Sequence, residues 1–448
     1  MATRRTFVKS GALYLSALGT TTLFPMELLA STRKSTSAND KIQVGLIGCK
    51  GMGFANLTSM LKHSEIEIVA LCDVDQTVLA NRTSDLEKAA IKKPKWYGDY
   101  RKLLADKDVE VVIIGTPDHW HCLQLTDAVL AGKDVYCEKP IANSIAECEA
   151  MLKTVQAHKR VVQIGQWQRS QPHFVDAINF VHSGKLGEIR LVKVWAYQGW
   201  MQPVPVIPDT NVPDGVDYAM WLGPAKQRPF NANRFHFNFR WFWDYAGGLM
   251  TDWGVHLMDY ALYGMKAGTP KSVMAIGGKF AYPNDASETP DTLQTVYEYD
   301  DYSILWEHAT GIDGGNYGRD HGIAFIGNNG TLVLNRGGWE VIPEHDRPNW
   351  DKDLGPKMDA IPLQRTETSG LDLHTTNFLE AVKSRDSSSL NAPIEVGYNT
   401  ALVCHMGNIA YKAGTRVYWN AEQKSFNNNE ANALLKPTYY NGWKLPTG

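Results

Sequence analysis

The sequence has little cysteine, little net charge and no internal repeat. Six cysteines among 448 residues are too few for a disulfide scaffold, and none of them has the spacing of a zinc site, so no metal site is predicted. With 45 Lys and Arg against 48 Asp and Glu, the formal net charge of −3 excludes a polybasic nucleic-acid arm. Hydrophobic residues at 44% and charged residues at 21% exclude a disordered chain. This composition favours a small-molecule ligand, and no nucleic-acid partner is expected.

The sequence also lacks an apolar run long enough to span a bilayer, which needs ~20 residues. Its N-terminus reads Thr3-Arg4-Arg5-Thr6-Phe7-Val8-Lys9, followed by a moderately apolar stretch to about Phe24. This pattern predicts a twin-arginine export signal with a periplasmic or otherwise exported product. The alternatives are an uncleaved anchor and a chance Arg pair. We therefore assign residues 1–39 to a signal peptide and polar tether, with no membrane span in the mature chain.

Residues 40–165 alternate short, apolar, β-branched runs with segments of helical composition. The predicted strands are Ile42–Ile47, Ile66–Cys72, Val109–Gly115, Asp134–Cys137 and Val161–Gly165. The predicted helices are Phe54–Lys62, Thr77–Ala90, His119–Ala131 and Ser144–Ala157. Such alternation with short loops predicts an α/β Rossmann domain with a doubly wound parallel sheet.

Residues 166–425 contain more Pro, Trp and Tyr and runs typical of half-buried strands. The examples are Arg190–Tyr197, Ser272–Phe280, Thr292–Tyr299, Ser303–Ala309 and Gly330–Leu334. Together with helices at Leu371–Lys383 and Tyr398–Lys412, they predict an α+β substrate and oligomerisation domain with a large open, mostly antiparallel sheet. An open sheet needs its free face covered, so a homodimer or homotetramer is expected. Residues 426–448, which include a polar stretch at Asn427–Asn432, are predicted to be a C-terminal tail.

A degenerate phosphate-binding loop follows the first strand. Gly48 and Gly53 match a G-x-G-x-x-G fingerprint, but Lys50 occupies the position of the second glycine. Lys50 would offer an ammonium group to the phosphates, and Gly51 would carry the tight turn. The missing glycine puts the pyrophosphate geometry in doubt.

Asp73 ends the second strand, twenty residues after Gly53. A carboxylate at this point meets the adenosine ribose hydroxyls in dinucleotide-binding folds. An acidic group also repels a 2′-phosphate, so NAD is predicted over NADP. The alternative is that Asp73 only caps the next helix.

Polar residues follow two further strands at their carboxyl ends, where ligands bind in open α/β sheets. Thr116 and Asp118 follow one strand, and Glu138-Lys139-Pro140 follows the next. Lys139 is the best catalytic candidate, because a lysine near a nicotinamide and a substrate hydroxyl can hydrogen-bond that hydroxyl. The alternative is a surface Glu–Lys pair of little energetic consequence.

A second catalytic segment is predicted around Asp252, His256 and Asp259. Their i, i+4, i+7 spacing places them on one helix face after the turn at Gly247-Gly248. Asp252 would orient His256, which titrates near neutrality and would serve as the base for a hydroxyl proton. The alternative is a capped helix whose polar groups are satisfied within the fold.

The segments Asp118–His121 and Gly132–Pro140 resemble the Gfo/Idh/MocA family of NAD(P)-dependent oxidoreductases, over roughly residues 41–420. The resemblance implies that Lys139, Asp252 and His256 form the catalytic group. It also implies that Gly51 and Met52 contact the phosphates and that Asp73 binds the ribose. The residues that it places at the nicotinamide end are Trp120, His121, Glu138 and Gln166.

Aromatic residues with nearby arginines predict a sugar or cyclitol substrate, since aromatic faces stack on its C–H groups. The substrate candidates are Arg169, Tyr197 and Trp241, together with Asp252 and His256. The alternative is that the large side chains only fill the core or a dimer interface.

Export implies that NAD is tightly held and regenerated within the site. Hydride transfer to and from a secondary hydroxyl of a sugar, glycoside or cyclitol satisfies this requirement. A redox-neutral glycosidase or lyase that works through a transient keto-sugar also satisfies it. Family members of that second kind tend to lack the lysine at the position of Lys139, which favours the first reaction. A non-catalytic sugar- or nucleotide-binding protein is the third possibility.

Overall fold

A six-stranded parallel sheet organises the first part of the chain in the computed structural model, which describes residues 41–447. The export-signal prediction therefore lies outside the described residues. The strands are β1 (Ile42–Ile47), β2 (Ile66–Cys72), β3 (Lys95–Tyr97), β4 (Val111–Ile114), β5 (Asp134–Cys137) and β6 (Val162–Ile164). Their order β3-β2-β1-β4-β5-β6 confirms the predicted doubly wound Rossmann sheet.

Helices cover this sheet. They are α1 (Gly51–Met60), α2 (Gln76–Lys88), α3 (Tyr100–Leu104), α4 (Asp118–Leu130) and α5 (Ile145–Ala157). The strands β1, β4 and β5 are apolar and almost entirely buried, as expected for strands with helices on both faces. The edge strand β3 escaped sequence prediction because it is only three residues long and has an exposed, polar pattern.

A second sheet contains ten strands in the order β14-β13-β12-β11-β7-β10-β9-β8-β15-β16. These are β7 (Ile189–Gln198), β8 (Ser272–Gly278), β9 (Thr292–Glu298), β10 (Ser303–Thr310), β11 (His321–Gly327), β12 (Gly330–Asn335), β13 (Gly338–Pro343), β14 (Ile361–Gln364), β15 (Val417–Asn420) and β16 (Ser425–Phe426). Only β7 and β10 pair in parallel among these strands. The predicted large, mostly antiparallel sheet is therefore confirmed.

The remaining helices are α6 (Pro172–His182), α7 (Tyr218–Leu222), α8 (Leu249–Asp252), α9 (Gly254–Met265), α10 (Gly370–Ser384), α11 (Ile394–Ala413) and α12 (Asn429–Ala433). Three of them, α6, α9 and α11, pack on one face of the ten-stranded sheet. Along β7, Val192, Val194 and Ala196 point into this core, whereas Trp195 and Tyr197 point to the opposite face. The same face of the sheet therefore carries both the main core and the helix pair α8–α9.

The C-terminal part of the chain returns to the first domain. In α10, Phe378 packs edge-to-face on Tyr136 of β5, with ring centroids 5.7 Å apart. Near the C-terminus Trp443 packs on Trp120 at 4.9 Å, and the Tyr439 hydroxyl donates to Glu147 at 2.6 Å. The predicted tail is thus packed structure, and its polar stretch contains most of α12, which Asn428 caps.

The described residues hold neither a helix long and apolar enough to cross a membrane nor a group of three or more His, Cys, Asp or Glu placed to bind a metal ion. All six cysteines are buried free thiols. Cys49, Cys72 and Cys137 lie in or beside strands.

Candidate functional site

The turn between β1 and α1 requires glycine at two positions. Gly48 has φ +83, and a Cβ on it would lie 2.6 Å from the backbone carbon of Gly115. A Cβ on Gly53 would clash with the carbonyl oxygen of Gly48. Lys50 instead has an extended backbone with φ −105, which any residue adopts. The departure from the fingerprint at Lys50 is therefore compatible with the turn.

The N-terminus of α1 is open to a ligand. Lys50 provides no side-chain cap, and a Cβ on Gly51 would meet no atom within 4 Å. The first amide groups of a helix have no partner within the helix, and together with the helix dipole they bind anions. Lys50, Gly51 and Met52 are all exposed here, so the predicted phosphate residues surround an accessible anion site.

Asp73 lies beside this turn. Its Oδ2 accepts from the Cys49 amide at 2.8 Å, and its Oδ1 accepts from the Asp75 amide at 3.1 Å. Burial raises the pKa of Asp73 to about 6, although both amide hydrogen bonds oppose this shift. Asp75, and not Asp73, caps α2 by accepting from Thr77 N. The helix-cap alternative for Asp73 is therefore wrong.

A loop of the second domain covers the end of β2. The Gln76 amide donates to Gly215 O at 3.0 Å, and the Asp217 amide donates to Val74 O at 2.9 Å. Nε2 of His236 lies 2.9 Å from Oδ2 of Asp75. These contacts place second-domain backbone next to the carboxylate predicted to hold the ribose.

Lys139 and Asp252 meet where the two domains face each other. The Lys139 Nζ donates to Asp252 Oδ1 at 3.0 Å and to the Asp252 backbone oxygen at 2.9 Å. That backbone oxygen is available because the helix is broken at Trp253, whose own carbonyl accepts from His256 N. Arg240 Nε also donates to Asp252 Oδ1, at 3.3 Å. Burial opposes ionisation, but these two cations hold the pKa of Asp252 below its usual value.

His256 is near this pair but is not oriented by Asp252. The predicted Asp252–His256 contact is absent among residues 41–447, because the Asp252 carboxylate accepts from Lys139 and Arg240 instead. Nδ1 of His256 is buried and has no hydrogen-bond partner among residues 41–447. Burial, with the charges of Lys139, Arg336 and His321, lowers the pKa of His256 well below its ordinary value. The imidazole is therefore neutral at neutral pH and can accept a proton.

Two buried carboxyl groups lie around Lys139. Glu138 accepts from Asn56 Nδ2 at 2.8 Å and from the Lys139 amide at 3.2 Å, which connects the end of β5 to α1. Asp118 begins α4, and burial raises its pKa to about 7 despite the nearby charges of Arg240 and Lys139. Both groups help to set the electrostatic potential at the Lys139 ammonium.

The other residues predicted at the nicotinamide end differ in their surroundings. Gln166 is buried, and its Oε1 has no partner among the described residues, so it can bind a ligand amide. His121 places Nδ1 2.7 Å from Pro140 O and Nε2 2.8 Å from Thr116 O, which braces the two strand-end loops. The Thr116 hydroxyl donates to Gln124 at 2.7 Å.

Trp120 does not line the site. Its Nε1 donates to Trp221 O at 3.0 Å, and its ring packs against Tyr100 and Trp443 in the core of the first domain. Trp120, in the first turn of α4, is buried by Trp221 of the second domain and by Trp443 of the C-terminal segment. Local sequence does not predict either contact.

Three predicted substrate residues are engaged elsewhere. Arg169 donates to both carboxylate oxygens of buried Asp259, at 2.7–3.0 Å, and its guanidinium lies over Tyr263. Tyr197 lies on the opposite face of the ten-stranded sheet, where its hydroxyl donates to Glu307 at 3.1 Å. Trp241 is buried in the main core. The prediction that these three residues bind substrate is therefore corrected. Arg169 belongs to an ion pair, Tyr197 points away because side chains alternate along a strand, and Trp241 packs in the core.

Sequence reasoning missed a group that faces His256 from other elements. Arg336 and His321 approach His256 from the ten-stranded sheet, and both pack against the ring of Trp253. Arg336 and His321 follow from strand pairing distant in sequence and carry no local signal.

The geometry fits a dinucleotide that runs along the carboxyl edge of the parallel sheet. The open α1 N-terminus fits the pyrophosphate, Asp73 fits the ribose and the orphaned oxygen of Gln166 fits a carboxamide. Two family models match this chain, the NAD-binding Rossmann fold of the Gfo/Idh/MocA oxidoreductases over residues 42–166 and their C-terminal α/β domain over residues 180–445. The chain belongs to the Gfo/Idh/MocA oxidoreductase family. Its first domain is thus an NAD-binding domain, and the site at its edge has the residues to hold that cofactor.

Curated relatives match about a third of the chain. Inositol 2-dehydrogenase of Salmonella typhimurium is 36% identical over 153 residues, which are 34% of this chain and 44% of the relative. A glycosyl hydrolase family 109 protein of Shewanella sp. strain ANA-3 is 33% identical over 156 residues, which are 34% of each protein. The chain thus spans less than half of the length of these relatives.

Solved structures match over most of the chain. Levoglucosan dehydrogenase in complex with NADH and levoglucosan has a TM-score of 0.61 at 19% identity, covering 84% of this chain and 99% of that one. Aldose–aldose oxidoreductase from Caulobacter crescentus, in complex with glycerol, has a TM-score of 0.61 at 18% identity with the same coverage. These likenesses show a common two-domain fold.

Proposed function

We propose that the protein is an exported oxidoreductase that uses tightly bound NAD to move hydride to and from a secondary hydroxyl of a sugar, glycoside or cyclitol. The observation that carries this proposal is the Lys139–Asp252 pair, which joins a strand end of the NAD-binding domain to a helix end of the second domain. A paired lysine at the carboxyl edge of a nucleotide-binding sheet is placed to bind a substrate hydroxyl next to the nicotinamide.

The chain's own residues supply binding and proton transfer. Bound NAD supplies the hydride acceptor. Asp252 and its backbone oxygen accept two hydrogen bonds from the Lys139 ammonium, which fixes its position and leaves its third proton for the substrate oxygen. The charge of Lys139 is one of the causes that lower the pKa of His256, so its imidazole is neutral. A neutral imidazole can take the hydroxyl proton as the alcohol is oxidised.

Relatives with printed substrates support a sugar or cyclitol. One is named for inositol and one solved structure contains levoglucosan. Here Trp253 directly follows Asp252, and the rings of Trp253 and Trp167 both lie against Arg336. Aromatic rings suit the C–H groups of a sugar ring. They replace Tyr197 and Trp241 as the aromatic substrate residues that we propose.

Export and cofactor retention are proposed together. The pair Arg4-Arg5 and the apolar stretch after it support a twin-arginine signal. An exported enzyme without access to free NAD must retain its cofactor, and the loop at Gly215–Asp217 covers the adenosine end through backbone hydrogen bonds to Val74 and Gln76. This cover would slow cofactor release.

The redox-neutral reaction is a second candidate, because the relatives that match about a third of the chain include glycosyl hydrolase family 109 proteins. The products distinguish the two reactions. Net oxidation yields a keto-sugar and reduced cofactor, or transfers the hydride to a second compound. The redox-neutral reaction releases a free sugar from a glycoside with no accumulation of NADH.

We also propose a homodimer or homotetramer formed through the open face of the ten-stranded sheet. Leu191, Met274, Ile276 and Val296 are exposed on this face, and uncovered apolar sheet faces mark interaction surfaces. Light scattering on the purified protein and on I276K tests the proposal, because a buried lysine would dissociate the assembly. An unchanged mass for the variant would place the interface elsewhere.

The direct test of function begins with the purified, denatured protein. Mass spectrometry of the released small molecule should identify NAD or NADH in near-stoichiometric amount. The native protein, mixed with a panel of sugars and cyclitols, should then show reduction or reoxidation of the bound cofactor. Recovery of no nucleotide, and no binding of added NADH, would reject the proposal. Sugar binding without turnover in both wild type and H256A would indicate the non-catalytic binding protein.

A further inference from the structure

A cluster of polar side chains, Arg336 and His321, lies on the second-domain side of His256. Arg336 occupies the two-residue turn between β12 and β13. Its guanidinium carbon lies 4.8 Å from the ring centroid of Trp253 and 5.2 Å from that of Trp167. Trp253 directly follows Asp252, so the arginine is held beside the catalytic helix break by two indole rings.

Arg336 has no carboxylate partner. None of the ion pairs among residues 41–447 includes it, and its buried Nε has no hydrogen-bond partner there. Asp252 and Asp320 influence it only at a distance, and burial lowers the pKa of Arg336 to about 10. The side chain is therefore charged at neutral pH and half-buried, with two indole rings but no ion-pair partner among residues 41–447, which is an unfavourable arrangement for a charge.

His321 adds a second orphaned nitrogen. Its Nδ1 lies 2.7 Å from Asp320 Oδ1, while its buried Nε2 has no partner among the described residues. Its ring packs edge-on against Trp253 with centroids 5.0 Å apart. His256, with its unpartnered Nδ1, is close enough for Arg336 and His321 to depress its pKa. Three buried nitrogens from three elements thus lack partners in one region.

The cofactor does not satisfy these groups. Its phosphates fit the α1 N-terminus, where Lys50 faces Asp73, and oxidised nicotinamide is itself a cation. A neutral sugar would offer hydroxyls but leave the Arg336 charge uncompensated. By contrast, Arg169 and Arg240 show how this chain treats its other partly buried site arginines, since each has a carboxylate partner. The missing partner of Arg336 therefore belongs to the substrate.

We propose that the substrate is an acidic sugar, such as a uronate or aldonate, whose carboxylate binds Arg336 while one of its hydroxyls donates to His321 Nε2 and another lies at Lys139 and His256. A single guanidinium matches the geometry and the single charge of a carboxylate. Arg336 lies over Trp253, which directly follows Asp252, so one small sugar would connect a carboxylate at Arg336 to a hydroxyl near Lys139. This inference deepens the proposed function and rests on it for the reaction at the hydroxyl end.

Matched substrates test the carboxylate directly. Galacturonate, its neutral methyl ester and galactose, with glucuronate and glucose as a second set, are compared on the NAD-loaded protein. We expect kcat/KM for the acids to exceed that of the ester and the neutral sugar by at least about tenfold. Equal or better use of the ester or the neutral sugars would overturn the inference while leaving the proposed oxidoreductase intact. A preference for a sugar phosphate over the uronates would also overturn it.

Variants of the arginine locate the effect. R336Q should lower the acid-to-ester ratio of kcat/KM about tenfold or more, mainly through KM, and R336K should restore part of the ratio. R365Q, at an exposed arginine of the same domain, is the matched control and should leave the ratio unchanged. A merely structural role for Arg336 would lower activity towards acid and ester equally, and that result would contradict the inference.

Binding provides a readout that does not need turnover. Trp167 and Trp253 flank Arg336, so acid binding should change tryptophan fluorescence of the wild type in a saturable manner. Galacturonate should bind more tightly than its ester to the wild type and equally weakly to R336Q. Failure of NADH binding with acid binding retained would reject the proposed function alone, whereas equal binding of acid and ester would reject the carboxylate site.

Discussion

Lys139 donates two hydrogen bonds to Asp252, one to the carboxylate at 3.0 Å and one to the backbone oxygen at 2.9 Å, across 113 residues of sequence. The first residue follows β5 of the NAD-binding domain, and the second ends α8 of the other domain. The pair therefore exists only when the two domains are docked, and it places the ammonium at the edge of the sheet where the nicotinamide would lie.

K139M should lower kcat on the best sugar substrate by about 10²–10⁴-fold, because it removes both the positioned ammonium and its hydrogen bond to the substrate. NADH binding should change little, since the phosphate and ribose sites lie at α1 and Asp73. Steady-state kinetics and a fluorescence titration with NADH measure the two effects. K107M, at an exposed lysine, is the control. Equal activity of K139M and K107M would remove Lys139 from the mechanism.

The pH profile should report a neutral His256. Burial and the charges of Lys139, Arg336 and His321 lower its pKa, so the base stays unprotonated as the pH falls through about 6.5, the ordinary histidine pKa. We expect kcat/KM of the wild type to stay on its plateau at pH 6.5 and to fall only at lower pH. The R336Q variant loses one cation, so its acid limb should move upwards. An acid limb at or above pH 6.5 in the wild type would contradict this assignment.

Alanine should destabilise the protein strongly at one glycine of the phosphate loop and only weakly at another. G53A should prevent NADH binding and lower the melting temperature sharply, because its Cβ would clash with the Gly48 carbonyl oxygen. G51A should cost only about 1 kcal/mol, because the positive φ of +47 is unfavourable but the surrounding space is empty. Thermal unfolding with and without NADH measures both. Similar losses in the two variants would show that backbone strain, and not the close approach, limits this turn.

Asp73 should determine the preference for NAD over NADP. D73S removes the carboxylate that would repel a 2′-phosphate, so the ratio of NADP to NAD affinity should rise by about tenfold or more. D108N, at an exposed carboxylate of the same domain, should leave this ratio unchanged. Titration of each apoprotein with NADH and NADPH gives the ratios. An unaltered ratio in D73S would assign the discrimination to other residues, with Lys50 the first to be tested.

His374 should make folding stability depend on pH. Its Nε2 donates to Ile164 O at 2.9 Å, its Nδ1 accepts from the Ser170 hydroxyl at 2.6 Å, and burial lowers its pKa to about 4. Because the unfolded histidine has a pKa near 6.5, the unfolded state binds the extra proton first. The contribution of His374 is therefore complete above about pH 6.5 and is lost as the pH falls towards 4, by about 3 kcal/mol in total.

Chemical denaturation of wild type and H374N across this range measures that effect. Their difference in unfolding free energy should be largest near pH 7.5 and shrink steadily below pH 6.5. The other buried histidines are common to both proteins and cancel in the difference. H182N, at an exposed histidine, should show a difference that changes much less with pH. A constant difference between wild type and H374N would mean that the imidazole is not kept neutral by burial.

Much of the fold was predictable because local sequence patterns, such as short apolar runs between turn residues, determine it. The bounds of β1, β2 and β5 agree with the predicted strands, since buried parallel strands are short apolar runs that end at turn residues. Gly48, Asp73 and Lys139 were found for a related reason. Each lies at the carboxyl end of a strand, and this edge of a parallel sheet collects the ligand-binding groups.

The sequence alone therefore established the parallel sheet, its nucleotide-binding edge and the lysine at its centre, because periodicity and strand ends are local properties of the chain. Docking of the two domains established the rest. It paired Asp252 with Lys139 and not with His256, and it paired Arg169 with Asp259. It left Arg336 beside the catalytic pair without a carboxylate partner among residues 41–447, because the pairing of charges depends on strand pairing and packing between residues far apart in sequence.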